Sequence, residues 1–164
     1  MIKNILALCL LGSVAIANPF SIHHKSVGVT LGNGSVSYGR SGSENYYILG
    51  VSADYYVYDN LALGLGYRGW FGGTPLIHQA TVPLTYYIPT GSKFRPYVGA
   101  FYRYTYLSDS AYESYSSAGG RIGLAILFEH GYGGLGWVQE YRLDADSLSD
   151  TSSGYPELVI GFSF

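Results

Sequence analysis

The chain alternates apolar and polar positions. Read backwards from its end, Phe164, Phe162, Ile160 and Leu158 share one face, while Ser163, Gly161, Val159 and Glu157 share the other. A period of two belongs to an extended strand with one apolar and one mixed face. The pattern recurs up the chain. Val27, Val29 and Leu31 oppose Gly28, Thr30 and Gly32; Tyr47, Leu49, Val51, Ala53, Tyr55 and Val57 oppose Ile48, Gly50, Ser52, Asp54 and Tyr56. Leu61, Leu63, Leu65 and Tyr67 oppose Ala62, Gly64, Gly66 and Arg68. Similar alternations run through Ala80–Tyr86, Ile122–Phe128 and Leu135–Leu143. The pattern predicts eight strands, over residues 26–34, 45–58, 61–71, 78–88, 96–106, 118–128, 133–143 and 155–164. Pro83 removes one ladder donor from the fourth of them, which predicts a bulge there.

The predicted strands match the roughly 9–11 residues that a tilted membrane strand needs and exceed the ~5–6 residues usual in globular sheets. The connections alternate in kind. Asp59-Asn60, the segment around Thr90-Gly91-Ser92 and the one around Glu129-His130 are tight turns. Residues 35–44, 72–77, 107–117 and 144–154 are polar, rich in Ser, Gly, Tyr and Asp, and read as loops on the opposite rim. Short turns on one side and mostly longer loops on the other, although the one after the third strand is short, with an even strand number, are the asymmetry of outer-membrane barrels.

Charge sharpens this picture. Asp54, Arg68, Arg103, Arg121, Glu140, Arg142 and Glu157 are the charges placed within strands, and each lies opposite the apolar face. In the fifth strand the parity rests on the charge, because Phe101 shares the face of Arg103. A soluble sandwich turns its charges outward and its apolar face in, whereas Arg or Lys facing lipid at the midplane costs about 2–4 kcal/mol. The seven residues therefore predict a paired, salt-bridged barrel interior without a large open pore, since an eight-stranded barrel has room only for its own side chains or a small ligand. Tyrosines gather near strand ends (Tyr46, Tyr47, Tyr56, Tyr58, Tyr86, Tyr87, Tyr97, Tyr104 and Tyr106), which predicts an aromatic belt at the membrane–water boundary.

Composition agrees. Of 164 residues only 12% are charged, against 23 glycines and 18 tyrosines. The start is short and basic (Met1-Ile2-Lys3-Asn4), then apolar from Ile5 to Ile16, with small residues at Ala15 and Ala17. That is the pattern of a secretory signal peptide cleaved after Ala17, leaving residues 18–164 as one barrel domain; the apolar run is too short to span a bilayer. Cys9, the one cysteine, lies within the leader, so the mature chain has no disulfide and no thiolate metal site. Without Lys3, eight basic residues stand against eleven acidic ones, which excludes a nucleic-acid binder.

The run Tyr56-Val57-Tyr58-Asp59-Asn60-Leu61-Ala62-Leu63-Gly64-Leu65-Gly66, the Pro96-Tyr97-Val98-Gly99 start after a turn bearing Lys93, and the apolar alternation ending in Phe164 resemble the small outer-membrane β-barrel family, which contains the eight-stranded barrels related to the OmpA transmembrane domain. The resemblance implies an all-β fold, an eight-stranded antiparallel up-and-down transmembrane barrel in the outer membrane of a Gram-negative cell. It implies outer-membrane lipids and lipopolysaccharide as surroundings. It also implies that Leu158, Ile160, Phe162 and Phe164 form the C-terminal signal read by the barrel assembly machinery. Some such barrels are lipid A-modifying enzymes that use a His with a Ser near the outer rim. Here His23 and His24 lie in the lead and His130 in a turn; only His78 lies near an outer loop, and no strand carries a His-x-Ser pair. Asp144, Asp146 and Asp150 lack the glycine and terminal glutamate of a calcium loop. No catalytic residue, metal or cofactor is assigned. The function expected is a structural or surface-interaction role through the outer loops, whose ligand the sequence does not name. The alternatives are a lipid A-modifying enzyme, a small porin or channel and, if the faces are reversed, a soluble β-sandwich or lipocalin-like barrel.

Overall fold

The structure is a computed structural model that describes residues 19–37, 43–109, 113–144 and 152–164. The leader, with Ala15 and Ala17, lies outside the described residues. Eight strands follow one another: β1 (Lys25–Ser37), β2 (Ser43–Tyr58), β3 (Leu61–Phe71), β4 (Ile77–Tyr87), β5 (Phe94–Leu107), β6 (Tyr115–Phe128), β7 (Gly131–Arg142) and β8 (Ser152–Ser163). Each pairs antiparallel with the next and β8 returns to β1, closing a barrel. Two two-residue connections, Asp59-Asn60 and Glu129-His130, and the longer one over residues 88–93 set the inner rim. Asn60 sits at φ 66° between β2 and β3, a left-handed position that Asn tolerates at low cost.

The strands run further toward the outer rim than the polar sequence predicts. β1 continues through Ser37 and β2 starts at Ser43, where residues 35–44 read as loop; β6 starts at Tyr115 and β8 at Ser152. Ser, Gly and Asn lower strand propensity, but a neighbouring strand in register overrides a weak local preference.

The bulge predicted at Pro83 is absent. The β3–β4 ladder pairs Leu63 with Leu84 and then Gly66 with Thr81, so two positions are skipped and the register is unchanged. The reason lies in the direction of one amide. Tyr87 N–H donates to Asn60 on the β3 side, while Ile88 N–H donates to Pro96 on the β5 side. Successive residues of a strand address opposite neighbours, so the missing donor of Pro83 faces β3, opposite Gly64. Pro96, by the same parity, addresses Ile88 beyond the end of β4 and interrupts nothing. The observed register shift lies instead at Tyr56/Tyr58, beside the β2–β3 turn.

The outward face is apolar all round: Leu49, Val51, Leu63, Leu65, Val82, Leu84, Val98, Ile122, Leu135, Leu158, Ile160 and Phe162 are all exposed. The tyrosines divide between the two faces, which corrects the expectation of one boundary belt. Tyr47, Tyr58, Tyr86, Tyr104 and Tyr106 point outward, but Tyr46, Tyr56, Tyr87 and Tyr97 are buried inside. Adjacent residues of a strand must face opposite sides, so each Tyr-Tyr pair supplies one ring to the outer face and one to the interior.

The inward rings close the inner mouth around a residue from outside the strands. Phe20 has no exposed surface. Its ring stacks on Tyr87 at 4.1 Å and lies 5.3 Å from Tyr132 and 5.6 Å from Tyr56. The backbone is strapped to the β2–β3 turn: Asn60 N–H donates to Phe20 C=O at 2.7 Å, and Ile22 N–H to Asp59 Oδ1 at 2.8 Å. A buried Phe truncated to Ala typically costs about 3–5 kcal/mol. Phe20→Ala is expected to lower the unfolding free energy by about 3 kcal/mol in urea titrations of the lipid-reconstituted barrel; an unchanged midpoint would show that the ring adds nothing to the closure.

Candidate functional site

The barrel interior holds the polar chemistry. β5 and β7 carry Arg103 and Glu140, which form an ion pair. Arg103 is 1% exposed; its Nε donates to Thr81 Oγ1 at 2.9 Å and its Nη1 to Tyr155 Oη at 2.6 Å. Ser117 Oγ also donates to Glu140. Tyr155 on β8 joins this group to a second one: its hydroxyl donates to Glu140 at 3.3 Å and accepts from Arg68 Nη1 at 3.3 Å. Arg68 on β3 pairs with Glu157 on β8 at 3.0 Å, and Arg121 on β6 approaches the other oxygen of Glu157 at 3.6 Å. The Arg103 guanidinium lies over Phe101 at 4.6 Å and that of Arg121 over Tyr97 at 5.3 Å. Cation–π contact of this kind is strongest where the cation is desolvated.

Asp54 on β2 completes the interior set. It accepts from Ser26 Oγ at 3.4 Å and, among the described residues, forms no ion pair within the usual distance. Gly64 stands opposite it on β3, where a Cβ would lie 2.0 Å from Asp54 Oδ1. On the far wall Gly123 and Gly136 make room for Tyr97, whose hydroxyl reaches Glu157 at 3.5 Å. Six of the seven strand charges thus lie inside, three arginines against three carboxylates. Arg142 does not join them. It is exposed at the outer end of β7, with its guanidinium 4.3 Å from the Tyr115 ring. Inward parity is not the same as burial, because the last inward position of a strand stands at the mouth.

β5 begins at Phe94, two residues before the predicted start, so Arg95 joins the strand on the inward face of Tyr97, with its Nε and Nη1 buried. No interior role was expected for Phe20 or Tyr155. Above the ion pairs, Trp70 Nε1 donates to Gln79 at 3.0 Å and Tyr46 Oη to Pro75 C=O at 3.1 Å. Between the charged groups lies a cavity of about 30 Å³, touched by Thr30, Asp54, Arg68, Arg121 and Glu157. That is room for about two waters.

Three of the other candidate side chains, His78, His23 and Asp144, have structural partners. His78 faces outward between Tyr67 and Tyr106, with its Nδ1 2.6 Å from Tyr67 Oη. His23 pairs with Tyr55 in the same way, at 2.6 Å, near the inner rim. Asp144 Oδ2 accepts from Ser116 N–H at 2.6 Å and so caps the β6 backbone; Asp146 and Asp150 lie outside the described residues. Among the described residues no three His, Cys, Asp or Glu side chains lie together as metal ligands. Leu158, Ile160, Phe162 and Phe164 all point outward and are exposed.

A closed eight-stranded antiparallel barrel, apolar outside and ionic inside, has the fold of the small outer-membrane barrels. Two solved structures share it. The N-terminal β-barrel domain of Pseudomonas aeruginosa OprF aligns with a TM-score of 0.68 and 17% identity, over 87% of this chain and 98% of that one. Neisserial surface protein A (NspA) aligns with a TM-score of 0.60 and 14% identity, over 86% and 96%. No protein-family model matches the chain, and no curated protein does either.

Glu157 balances two arginines, and removing one partner of a buried pair typically costs about 3–5 kcal/mol. Glu157→Gln is expected to lower stability in lipid-bilayer unfolding titrations by about that amount. A change below about 0.5 kcal/mol would mean that water already solvates these arginines.

Proposed function

We propose that this protein is an integral outer-membrane barrel of a Gram-negative cell, exported with residues 1–17 as a cleaved leader, and that it acts as a rigid scaffold for its outer loops. The observation that carries the reading is the division of the wall: apolar side chains outside, an ion-paired interior inside. Such an interior stabilises a wall and is narrow for a channel, because Arg68, Arg103 and Arg121 are engaged with Glu140 and Glu157 and the cavity beside them holds only about two waters. Loops on a rigid frame are where recognition commonly sits, and one structural neighbour is by its name a surface protein. The surroundings are outer-membrane lipid and lipopolysaccharide. The exposed row Leu158, Ile160, Phe162 and Phe164 supports recognition by the assembly machinery during insertion.

Three measurements test this. The outer-membrane fraction run on a gel without boiling is expected to show a band that shifts on heating, with Asn18 as its N-terminus; a protein in the soluble periplasm with no shift would contradict the location. Purified protein in a planar bilayer is expected to be silent, and stepwise conductance would favour a channel. A deletion strain is expected to keep its lipid A mass spectrum while altering envelope integrity or surface binding. A changed lipid A spectrum would favour an enzyme instead.

A further inference from the structure

The closing seam of the barrel is only half zipped. β1 and β8 pair from the inner rim to Leu31↔Leu158 and no further toward the outer rim. Both strands nevertheless continue: β1 stays paired with β2 through Ser37↔Ser43, and β8 with β7 through Ser152↔Tyr141. Extended in register, Asn33 would meet Pro156, Ser35 would meet Gly154 and Ser37 would meet Ser152, yet none of these pairs forms among the described residues.

Amide direction identifies the break. Lys25 and Phe164 exchange both backbone hydrogen bonds, at 3.0 and 2.9 Å, while Ser163 N–H turns to His130 on the β7 side. Every second residue of β8 from Phe164 therefore addresses β1, and the series reaches Pro156, which has no N–H. Pro83 causes the same loss in β3–β4, but there the ladder resumes at Gly66↔Thr81. At the seam it does not resume. The outward backbone edges of Asn33, Ser35 and Ser37 on β1, and of Ser152 and Gly154 on β8, are left open.

The height of these edges matters. Seven paired positions, Lys25↔Phe164 to Leu31↔Leu158, at ~3.3 Å each and tilted by roughly 40°, close about 18 Å of wall. The apolar band of such barrels is about 25 Å tall. Part of the open edge thus lies at acyl-chain depth, where an unpaired sheet edge is not sustained. Gly32-Asn33-Gly34-Ser35-Val36-Ser37 and Ser152-Ser153-Gly154-Tyr155-Pro156-Glu157 carry no lysine of the kind that guards an exposed edge.

We propose that the open seam is an interface for a second copy of this chain. The two edges are equal in length, antiparallel and drawn from one register, so each complements the other. A twofold axis along the membrane normal sets β1 of one copy against β8 of the next and β8 against β1, engaging both edges at once in a closed, isologous contact. The proposal rests on the outer-membrane reading, because only lipid makes the open edge costly.

The test uses the mature chain folded into lipid vesicles, with the heat-dependent gel shift as proof of folding. Ser37→Cys and Ser152→Cys variants, neither containing another cysteine, are mixed, refolded together and oxidised. The expected product is a disulfide-linked band of twice the monomer mass, present in the mixture and absent when either variant is oxidised alone. In the doubly substituted chain, a disulfide that forms within one chain would show that the seam closes on itself and overturn the proposal. So would a folded mixture without interchain product. Pro156→Val restores the missing donor; combined with Ser37→Cys and Ser152→Cys in the mixing experiment, it is expected to lower the interchain yield about tenfold by zipping the seam within each chain. An undiminished yield would overturn the role given to Pro156. Absence of the heat shift in the unsubstituted chain would instead count against the membrane reading itself.

Discussion

Backbone hydrogen bonding in a medium without water is the constraint from which the rest of the structure follows. Lipid offers no partner for an exposed N–H or C=O, so a sheet that spans it must close. Closure assigns alternate residues to two environments, and each strand then carries an apolar row outward and a polar row inward. The prolines show how strictly the ladder obeys amide direction. Pro96 costs nothing because its nitrogen addresses the space past the end of β4. Pro83 interrupts one position and the register survives. Pro156 falls where the first and last strands meet, and there the pairing ends.

The interior answers a second requirement. Charges taken out of water need partners of opposite sign or hydrogen bonds. Arg68, Arg103 and Arg121 stand against Asp54, Glu140 and Glu157, with Tyr155 hydrogen-bonded between the Arg103–Glu140 pair and Arg68. Glycine supplies the depth these long side chains need: the ring of Tyr97 occupies space that side chains at Gly123 and Gly136 would fill. Phe20 closes the inner mouth on a platform of tyrosines, and Tyr46, Trp70 and Gln79 occupy the outer one. The wall and its filling are therefore one structure, and the loops at the outer rim inherit its rigidity.

Much of this was legible in the residues. The two-residue period gave the strand count, the faces and the inward parity of the charges, because a strand buried on one face admits no slip in register. Several features escaped, each for a physical reason. Tyr46-Tyr47 and Tyr86-Tyr87 read as boundary aromatics, but the pleat sends one ring of each pair inside. Phe20 has no periodic neighbours, so no pattern could place it, and its position depends on a turn formed far along the chain. The break at Pro156 depends on which neighbour its nitrogen addresses, a property of register and not of composition. Strand ends at the outer rim were underestimated for a related reason: pairing, and not local propensity, carries Ser37 and Ser43 into the ladder.

The orientation of the wall can be read with its two tryptophans. Trp137 points outward from β7 and is 50% exposed, while Trp70 is tied to Gln79 inside the barrel. Single-tryptophan proteins, made by Trp70→Phe or Trp137→Phe, would be folded into bilayers whose acyl chains carry bromine, a contact quencher of indole fluorescence. The protein retaining Trp137 is predicted to be strongly quenched and the one retaining Trp70 to keep its emission. Equal quenching, or the reverse order, would contradict an apolar exterior in lipid around a closed, ionic interior.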